Sequence, residues 1–326
     1  MSRLRVAVVH GGRSGEHEIS LRSARAVLDH LDPDRFEAVP LFIDKQGQWH
    51  PSPILPEPGA NSGIDVIFPV LHGTFGEDGT IQGLFEMAGL PYVGAGVFSS
   101  SASMDKEHFK RLCAERGLPV IDYLVQHAAA LDPGAAIARF GLPLFVKPAN
   151  LGSSVGIAKA HDRDELAAAL ADAARYDTKV IVERAILGQE LECAVLGNDR
   201  PAAATPCEIL PSKEFYDYED KYLLDKARTL IPPNLPEETI QEVRRLAVAC
   251  FLAVECSGMG RVDFLIEKAT GKVFINEINT IPGFTSISMY PKMWEHDGLS
   301  FAALVERLIE LALERHALRQ SLRYEL

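Results

Sequence analysis

Residues 260–283 read GRVDFLIEKATGKVFINEINTIPG. Two runs rich in β-branched and aromatic residues flank a short polar turn, the pattern of a β-hairpin. Side chains two apart share one face of a strand. Arg261 and Asp263 therefore point one way and Val262 the other, while Glu277 and Asn279 share a face from which Ile278 turns away. The turn Ala269-Thr270-Gly271 suits a three-residue loop with Gly271 left-handed as a G1 bulge. That register pairs Lys268 with Lys272 and sets Asp263 opposite Glu277 and Arg261 opposite Asn279. One sheet face then carries two carboxylates, an amide oxygen and a guanidinium. Hard oxygen donors beside an arginine are what a magnesium–nucleotide site needs. The competing reading is a solvated face crossed by surface ion pairs; the apolar residues in between, and the ending Ile281-Pro282-Gly283, weigh against it.

Working outward from the hairpin, the chain reads as α/β, shading into α+β toward its C-terminal part. Residues 6–9 form a β-branched run that ends in Gly11-Gly12 and leads into a helical pattern of Leu21, Ala24, Val27, Leu28 and Leu31, stopped by Asp32-Pro33. Strands are expected at 38–43 and 64–71. A second glycine-rich turn, 73–79, precedes a helix with Ile81, Leu84, Phe85 and Ala88 on one face. Strands alternating with helices imply a parallel sheet with ligands at the carboxyl ends of its strands. A boundary is expected near 99–103, before a helix beginning around Met104. A second unit follows, with strands at 120–125, 144–147 and 180–183 around a helix at 164–174. Asp162, three residues before Glu165, supplies that helix with a cap of capping-box type. From Gly188 onward the strands lengthen and become antiparallel in character. A polar, tyrosine-rich segment at 212–226 is followed by a long helix at 236–254, the hairpin, and a last helix carrying Leu304, Val305, Leu308, Ile309 and Ala312.

Composition narrows the function classes. The 326 residues suggest two or three domains, and 47% hydrophobic with 24% charged residues is ordinary globular material. With 33 basic and 45 acidic residues the net charge is -12, so non-specific attraction to nucleic acid or anionic lipid is disfavoured. Any bound anion needs a local basic pocket. The 5 cysteines are odd in number and never spaced Cys-x-x-Cys, which argues against a zinc ribbon or a disulfide framework and for buried free thiols. The start runs into only four apolar residues before His10, too few for a signal peptide's apolar region, and the longest apolar stretch, 246–254, falls far below a membrane span, so a soluble cytoplasmic protein is expected.

Two further constellations point to phosphate chemistry. In residues 147–156, KPANLGSSVG, glycines and small hydroxyls allow backbone amides to close over phosphate oxygens, and Lys147 adds a point charge. It is not a Walker A sequence, and taken alone a plain flexible turn fits equally well. Glu183 and Glu190 flank a segment after a strand and suit hydrogen bonds from an adenine amine and ribose hydroxyls, although such residues are also common as surface acids. A dinucleotide-dependent oxidoreductase, suggested by the first strand–glycine–helix unit, fails because residues 10–15 lack the third glycine of G-x-G-x-x-G. A non-catalytic nucleotide-binding regulator is disfavoured by the metal-type ligands and Lys147.

Six motifs, in order, resemble one family: HGGRSGEHEIS (10–20), LHGTFGEDGTIQG (71–83), KPANLGSSVG, YDYEDKY (216–222), GRVDF (260–264) and NEINTIPGFTSIS (276–288). The chain resembles the D-alanine–D-alanine ligases of the ATP-grasp superfamily from about residue 6 to residue 309. It departs at Arg184, Asp220 and Met289, where lysine, alanine and leucine are usual. The resemblance implies three domains, placed at 1–103, 104–187 and 188–326, the first built on the parallel sheet and the last two holding ATP between them. It further implies ATP-dependent ligation of two D-alanines for peptidoglycan precursors, with D-alanine–D-lactate or D-alanine–D-serine ligation as the alternative within the fold. Lys106, Lys147, Ser154, Glu183, Arg184 and Glu190 are then expected to hold ATP, and Asp263, Glu277 and Asn279 to bind magnesium, with manganese as a substitute. Glu16 is expected to receive the first D-alanine's ammonium, linked by hydrogen bonds to Ser153 and Tyr222, while Arg261 and the Gly283 amide face the developing oxyanion. His72, Lys221, Ser288 and Met289 are expected at the substrates, His72 being one candidate to take a proton from the second amine. A homodimer is the expected assembly, and Tyr222 the residue favouring an amine over a hydroxyl acceptor.

Overall fold

The computed structural model describes residues 3–152, 155–210, 228–285 and 287–323. The tyrosine-rich segment, with Lys221 and Tyr222, lies outside them, as do Ser153 and Ser154 of the glycine loop.

The first sheet is the expected parallel one. Strand β1 (Leu4–Gly11) lies between β2 (Phe36–Ile43) and β4 (Val66–Pro69), parallel to both, and the two-residue β3 (Trp49–His50) closes the edge antiparallel to β2. The middle of β1 and all of β4 are buried on both faces, because both are covered there. Val6 and Val8 pack with α1 (His17–His30), whereas Ala7 and Val9 pack with α2 (Thr80–Ala88). Helix α3 (Val97–Met104) occupies the region read as a domain boundary, and the next helix, α4 (Lys106–Glu115), begins two residues later than expected. Its start is fixed by Asp105, whose carboxylate accepts the N–H groups of Glu107 and His108, offsetting two of the orphan donors of the first turn.

The second sheet has the order β5 (Tyr123–His127), β8 (Lys179–Arg184), β6 (Leu144–Pro148), β7 (Ala158–Ala160), and every pairing is antiparallel. Leu144, Val146, Val180 and Val182 bury one face against α5 (Pro133–Phe140) and α6 (Arg163–Ala173). Lys147 and Glu183 alternate with them and so lie on the other face. Asp162 caps α6 as expected, while Glu165 reaches the N–H of His161, one residue before the cap.

The third sheet runs β12 (Arg228–Leu230), β11 (Cys207–Leu210), β9 (Gly188–Gly197), β13 (Gly258–Glu267), β14 (Val273–Asn279), with β10 (Ala202–Ala203) beside β9. Leu191, Cys193, Val262, Phe264, Ile275 and Ile278 bury one face against the long helix α7 (Glu237–Ala253) and against Phe109 and Cys113 of α4. Helix α8 (Met289–His296) and the last helix, α9 (Phe301–Gln320), return to the first sheet: Leu304, Val305 and Leu308 share a core with Val6, Val8 and Phe68. All five cysteines are buried free thiols. Among the described residues, no helix is long and apolar enough to cross a membrane.

The hairpin departs from the expected register at its tip. Phe264 pairs with Ile275 and Ile266 with Val273, one residue off the expected ladder, and four residues rather than three form the turn. Gly271 is left-handed, as expected. A β-bulge at Asn276 then restores the expected pairs, Asp263 with Glu277 and Arg261 with Asn279. The reason is burial. The unbulged register would have faced the Asn276 amide into the core opposite Phe264; the bulge puts Ile275 there instead and releases Asn276 from the core face.

Candidate active site

Three adjacent strands bring their polar residues to one face. Glu190 and Glu192 of β9, Arg261 and Asp263 of β13, and Glu277 and Asn279 of β14 share the side opposite the apolar core. Glu192, two residues from Glu190 and opposite Asp263, has the same spacing signal but was not singled out from the sequence. Arg261 is held on both sides. Its Nε and Nη2 donate to the two oxygens of Asp263, each at 2.8 Å, and Nε lies 3.1 Å from Glu192 Oε2. Asn279 donates Nδ2 to Asp263 Oδ2 at 3.1 Å. Such pairs keep a buried guanidinium and buried carboxylates compensated. Asp263, Glu277 and Asn279 thus form an all-oxygen set on one face, the donor chemistry of a hard divalent cation.

Facing them is a buried lysine cluster. Lys106 and Lys110 are four apart on α4 and so share a helix face; Lys147 comes from β6. Glu183, only 1% exposed, meets Lys110 Nζ at 2.9 Å and Lys147 Nζ at 2.7 Å. Burial raises its pKa, but Lys110 and Lys147 outweigh that and bring it down to about 2. For Lys147, burial pulls downward and Glu183 and Glu277 more than offset it, so its ammonium is held above the usual lysine range. Lys106 and Lys110 go the other way, lowered chiefly by burial. Lys106 Nζ donates to the Leu151 carbonyl at 2.5 Å, tying α4 to the glycine loop. Lys147 Nζ also donates to Asn276 Oδ1 at 3.1 Å and so joins the second sheet to the third. Neither Lys110 nor Asn276 was singled out from the sequence. Lys110 had a signal, its i+4 spacing from Lys106. Asn276 had a subtler one, two isoleucines three apart that both need the core.

Two expected nucleotide residues are committed elsewhere. Glu183 was expected to accept from an adenine amine; in this structure each of its oxygens meets a lysine, Lys110 or Lys147. Arg184 pairs with Glu267 at 2.5 Å and lies over the Phe274 ring, with centroid separation 5.6 Å.

At the other end, Glu16 precedes α1 and is buried. A side chain at Gly73 would meet Glu16 Oε2 at 2.5 Å, and one at Gly152 would meet it at 3.8 Å. The carboxylate therefore lies where the first helix, the 72–79 turn and the glycine loop converge, and Gly73, left-handed at φ +73, leaves room for it. His72 is buried with both nitrogens engaged: Nδ1 donates to the Ile281 carbonyl at 3.0 Å, and Nε2 accepts from Ser23 Oγ at 2.9 Å. Burial lowers its pKa, keeping the ring neutral. In this structure both nitrogens tie the 72–79 turn to its neighbours, Ser23 and Ile281. Ser288 Oγ approaches Gly283, where an added Cβ would meet it at 2.8 Å, and binds Thr285 rather than capping α8. Met289, the first residue of α8, sets its sulfur 3.6 Å from Cys207 Sγ. Among the described residues, the carboxylate–histidine cluster of Asp105, Glu107 and His108 is ion-paired with Lys179 at 2.6 and 2.8 Å.

Two antiparallel sheets that face each other across a lysine cluster and an acidic metal-type face, behind an N-terminal parallel sheet, define an ATP-grasp enzyme. Family models agree: the D-ala D-ala ligase C-terminus matches residues 86–310 and the D-ala D-ala ligase N-terminus matches 5–57 and 56–95. The D-alanine–D-alanine ligase of Solibacter usitatus is 62% identical over 322 residues, 99% of both chains, and that of Acetivibrio thermocellus is 45% identical over 96% of both. The solved D-alanine–D-alanine ligase of Coxiella burnetii superposes with TM-score 0.88 at 38% identity, covering 98% of this chain and 97% of that one. The VanG D-Ala:D-Ser ligase of Enterococcus faecalis gives 0.87 at 36%, covering 95% and 100%. The chain belongs to the D-alanine–D-alanine ligase family.

Proposed function

We infer that this protein joins two molecules of D-alanine at the expense of ATP, releasing D-alanyl-D-alanine, ADP and phosphate, and so supplies a peptidoglycan precursor. The observation that carries the mechanism is the Lys147–Asn276 contact, which sets a cationic cluster against the face that carries Asp263, Glu277 and Asn279. A carboxylate is a poor electrophile because its leaving group would be oxide. Transfer of the γ-phosphoryl group to a carboxylate oxygen of the first D-alanine makes an acyl phosphate. The second D-alanine's neutral amine attacks its carbonyl carbon, and phosphate leaves. Lys106 and Lys147 offset the charge of the phosphate chain during transfer. Bound at Asp263, Glu277 and Asn279, magnesium supplies further charge neutralisation, and manganese fits the same oxygen donors. Glu16 receives the first ammonium. Arg261 and the Gly283 N–H face the tetrahedral oxyanion, where losing one donor typically costs about 3 kcal/mol. The second substrate's carboxylate suits the N-terminus of α8, at Ser288 and Met289.

The D-lactate and D-serine alternatives are not favoured, since 62% identity is to a D-alanine–D-alanine ligase and 36% to the D-Ala:D-Ser enzyme. Five free thiols and ATP as substrate support a cytoplasmic location, and the family resemblance supports a homodimer and the 1–103, 104–187 and 188–326 division. Phosphate release from ATP with D-alanine, L-alanine, D-lactate or no acceptor tests the assignment. Release should depend on D-alanine; release without any amino acid, or preferred with D-lactate, contradicts it.

A further inference from the structure

Glu77 lies in the 72–79 turn, outside the residues given a role so far. Its Oε2 accepts the Gly73 N–H at 2.7 Å and its Oε1 accepts the Ile281 N–H at 3.1 Å, across 204 residues of sequence. The other half of the same peptide residue, the Ile281 carbonyl, is taken by His72 Nδ1. Three residues on, the Phe284 N–H donates to Ser23 Oγ at 3.3 Å, and Ser23 in turn donates to His72. Three side chains of the N-terminal unit thus grip the 281–284 segment on either side of Gly283. Gly73 is the residue against which Glu16 Oε2 is packed.

We infer that Glu77 is a positioning residue for the ligation, resting on the reading above: by bonding Gly73 and Ile281 at once, its carboxyl group sets the Glu16 ammonium pocket in register with the Gly283 oxyanion donor. The two ends of the first substrate require this. Its ammonium nitrogen and carboxyl carbon are two bonds apart, yet the groups assigned to them come from loops of two different sheets. No covalent or strand connection fixes one loop to the other at this point; the Glu77 carboxyl group does, with His72 beside it on the Ile281 carbonyl. One backbone N–H from each loop converges on the two oxygens of a single side chain, so that side chain can hold both. Burial and the nearby Glu16 push this carboxyl group's pKa up to about 8, partly opposed by the two backbone N–H groups and Arg261.

Glu77→Gln keeps the shape but turns one acceptor into an NH2 donor, leaving either Gly73 or Ile281 unpaired. A displacement of the order of 1 Å in a reacting geometry costs up to about 100-fold, so kcat should fall roughly 10- to 100-fold. Because the lysine cluster is untouched, KM for ATP should stay within about twofold. A merely structural role would lower the unfolding midpoint and leave kcat per folded site unchanged. Ser23→Ala, which removes the Phe284 acceptor, is the second arm should Glu77→Gln not fold; it should lower kcat about three- to tenfold with the same constancy of KM for ATP. An active wild type whose Glu77→Gln variant, or Ser23→Ala variant if that one alone folds, retains kcat within about twofold overturns the assignment by itself. A wild type that releases no phosphate with D-alanine overturns the ligase reading and this assignment with it.

Discussion

Between Lys110 and Lys147, Glu183 is a carboxylate whose value depends on staying charged. Its pKa is depressed from 4.5 to about 2, so the stabilisation is present above 4.5 and is lost as pH falls toward 2. A shift of that size corresponds to about 3 kcal/mol. Replacing the charge takes its ion-pair partner from buried Lys110 and one of the compensating groups from Lys147, which typically costs about 3–5 kcal/mol. Glu183→Gln should therefore be destabilised by about that amount in denaturant titrations at neutral pH. The gap from wild type should narrow by about 3 kcal/mol between pH 4.5 and pH 2. A gap independent of pH would mean that Glu183 is neutral in the folded protein. The residue type and position were legible in the sequence, but not the partner: Lys110 reaches Glu183 only because helix α4 packs over a sheet whose strands begin beyond it.

At the scale of elements, the hairpin shows both what local pattern decides and where it stops. Period-two alternation was enough to place Arg261, Asp263, Glu277 and Asn279 on one face, and those pairs are present. The turn was misread by one residue because turn chemistry and ladder register were assumed to be locked together. Burying Ile275 opposite Phe264 broke that link through the bulge, and the bulge in turn delivered Asn276 to Lys147. Deleting Asn276 should leave a regular ladder, with Ile275–Phe264 followed directly by Glu277–Asp263, and a folded protein. Lys147 loses one hydrogen bond to a charged donor, a loss of about 1.5–3 kcal/mol, so calorimetric ATP affinity should fall roughly 10- to 100-fold. Unchanged affinity would remove Asn276 from the nucleotide site. The second sheet's antiparallel order and the start of α4 at Lys106 were also missed. Short apolar strands look alike in either orientation, and Asp105 acts as a cap only once the chain turns there.

For the molecule as a whole, the parallel first sheet, the antiparallel third sheet and the acidic face were readable as separate pieces. Their assembly was not. The last helix shares a core with the first strand, bringing residues near 305 against Val6 and Val8, and the grip of Ser23, His72 and Glu77 on the 281–284 segment depends on that return. No window of sequence contains such a contact; it follows from closing three sheets around one site. The purpose of that closure, on the present account, is to pass a phosphoryl group to a carboxylate and then to displace it with an amine while water is kept out. The most direct measurement uses D-alanine with both carboxylate oxygens labelled with heavy oxygen, and mass analysis of the phosphate and dipeptide formed with ATP. Activation through an acyl phosphate predicts one labelled oxygen in each phosphate released and one in the new peptide carbonyl. Unlabelled phosphate alongside dipeptide would show that the carboxylate is not phosphorylated and would contradict the account at its centre.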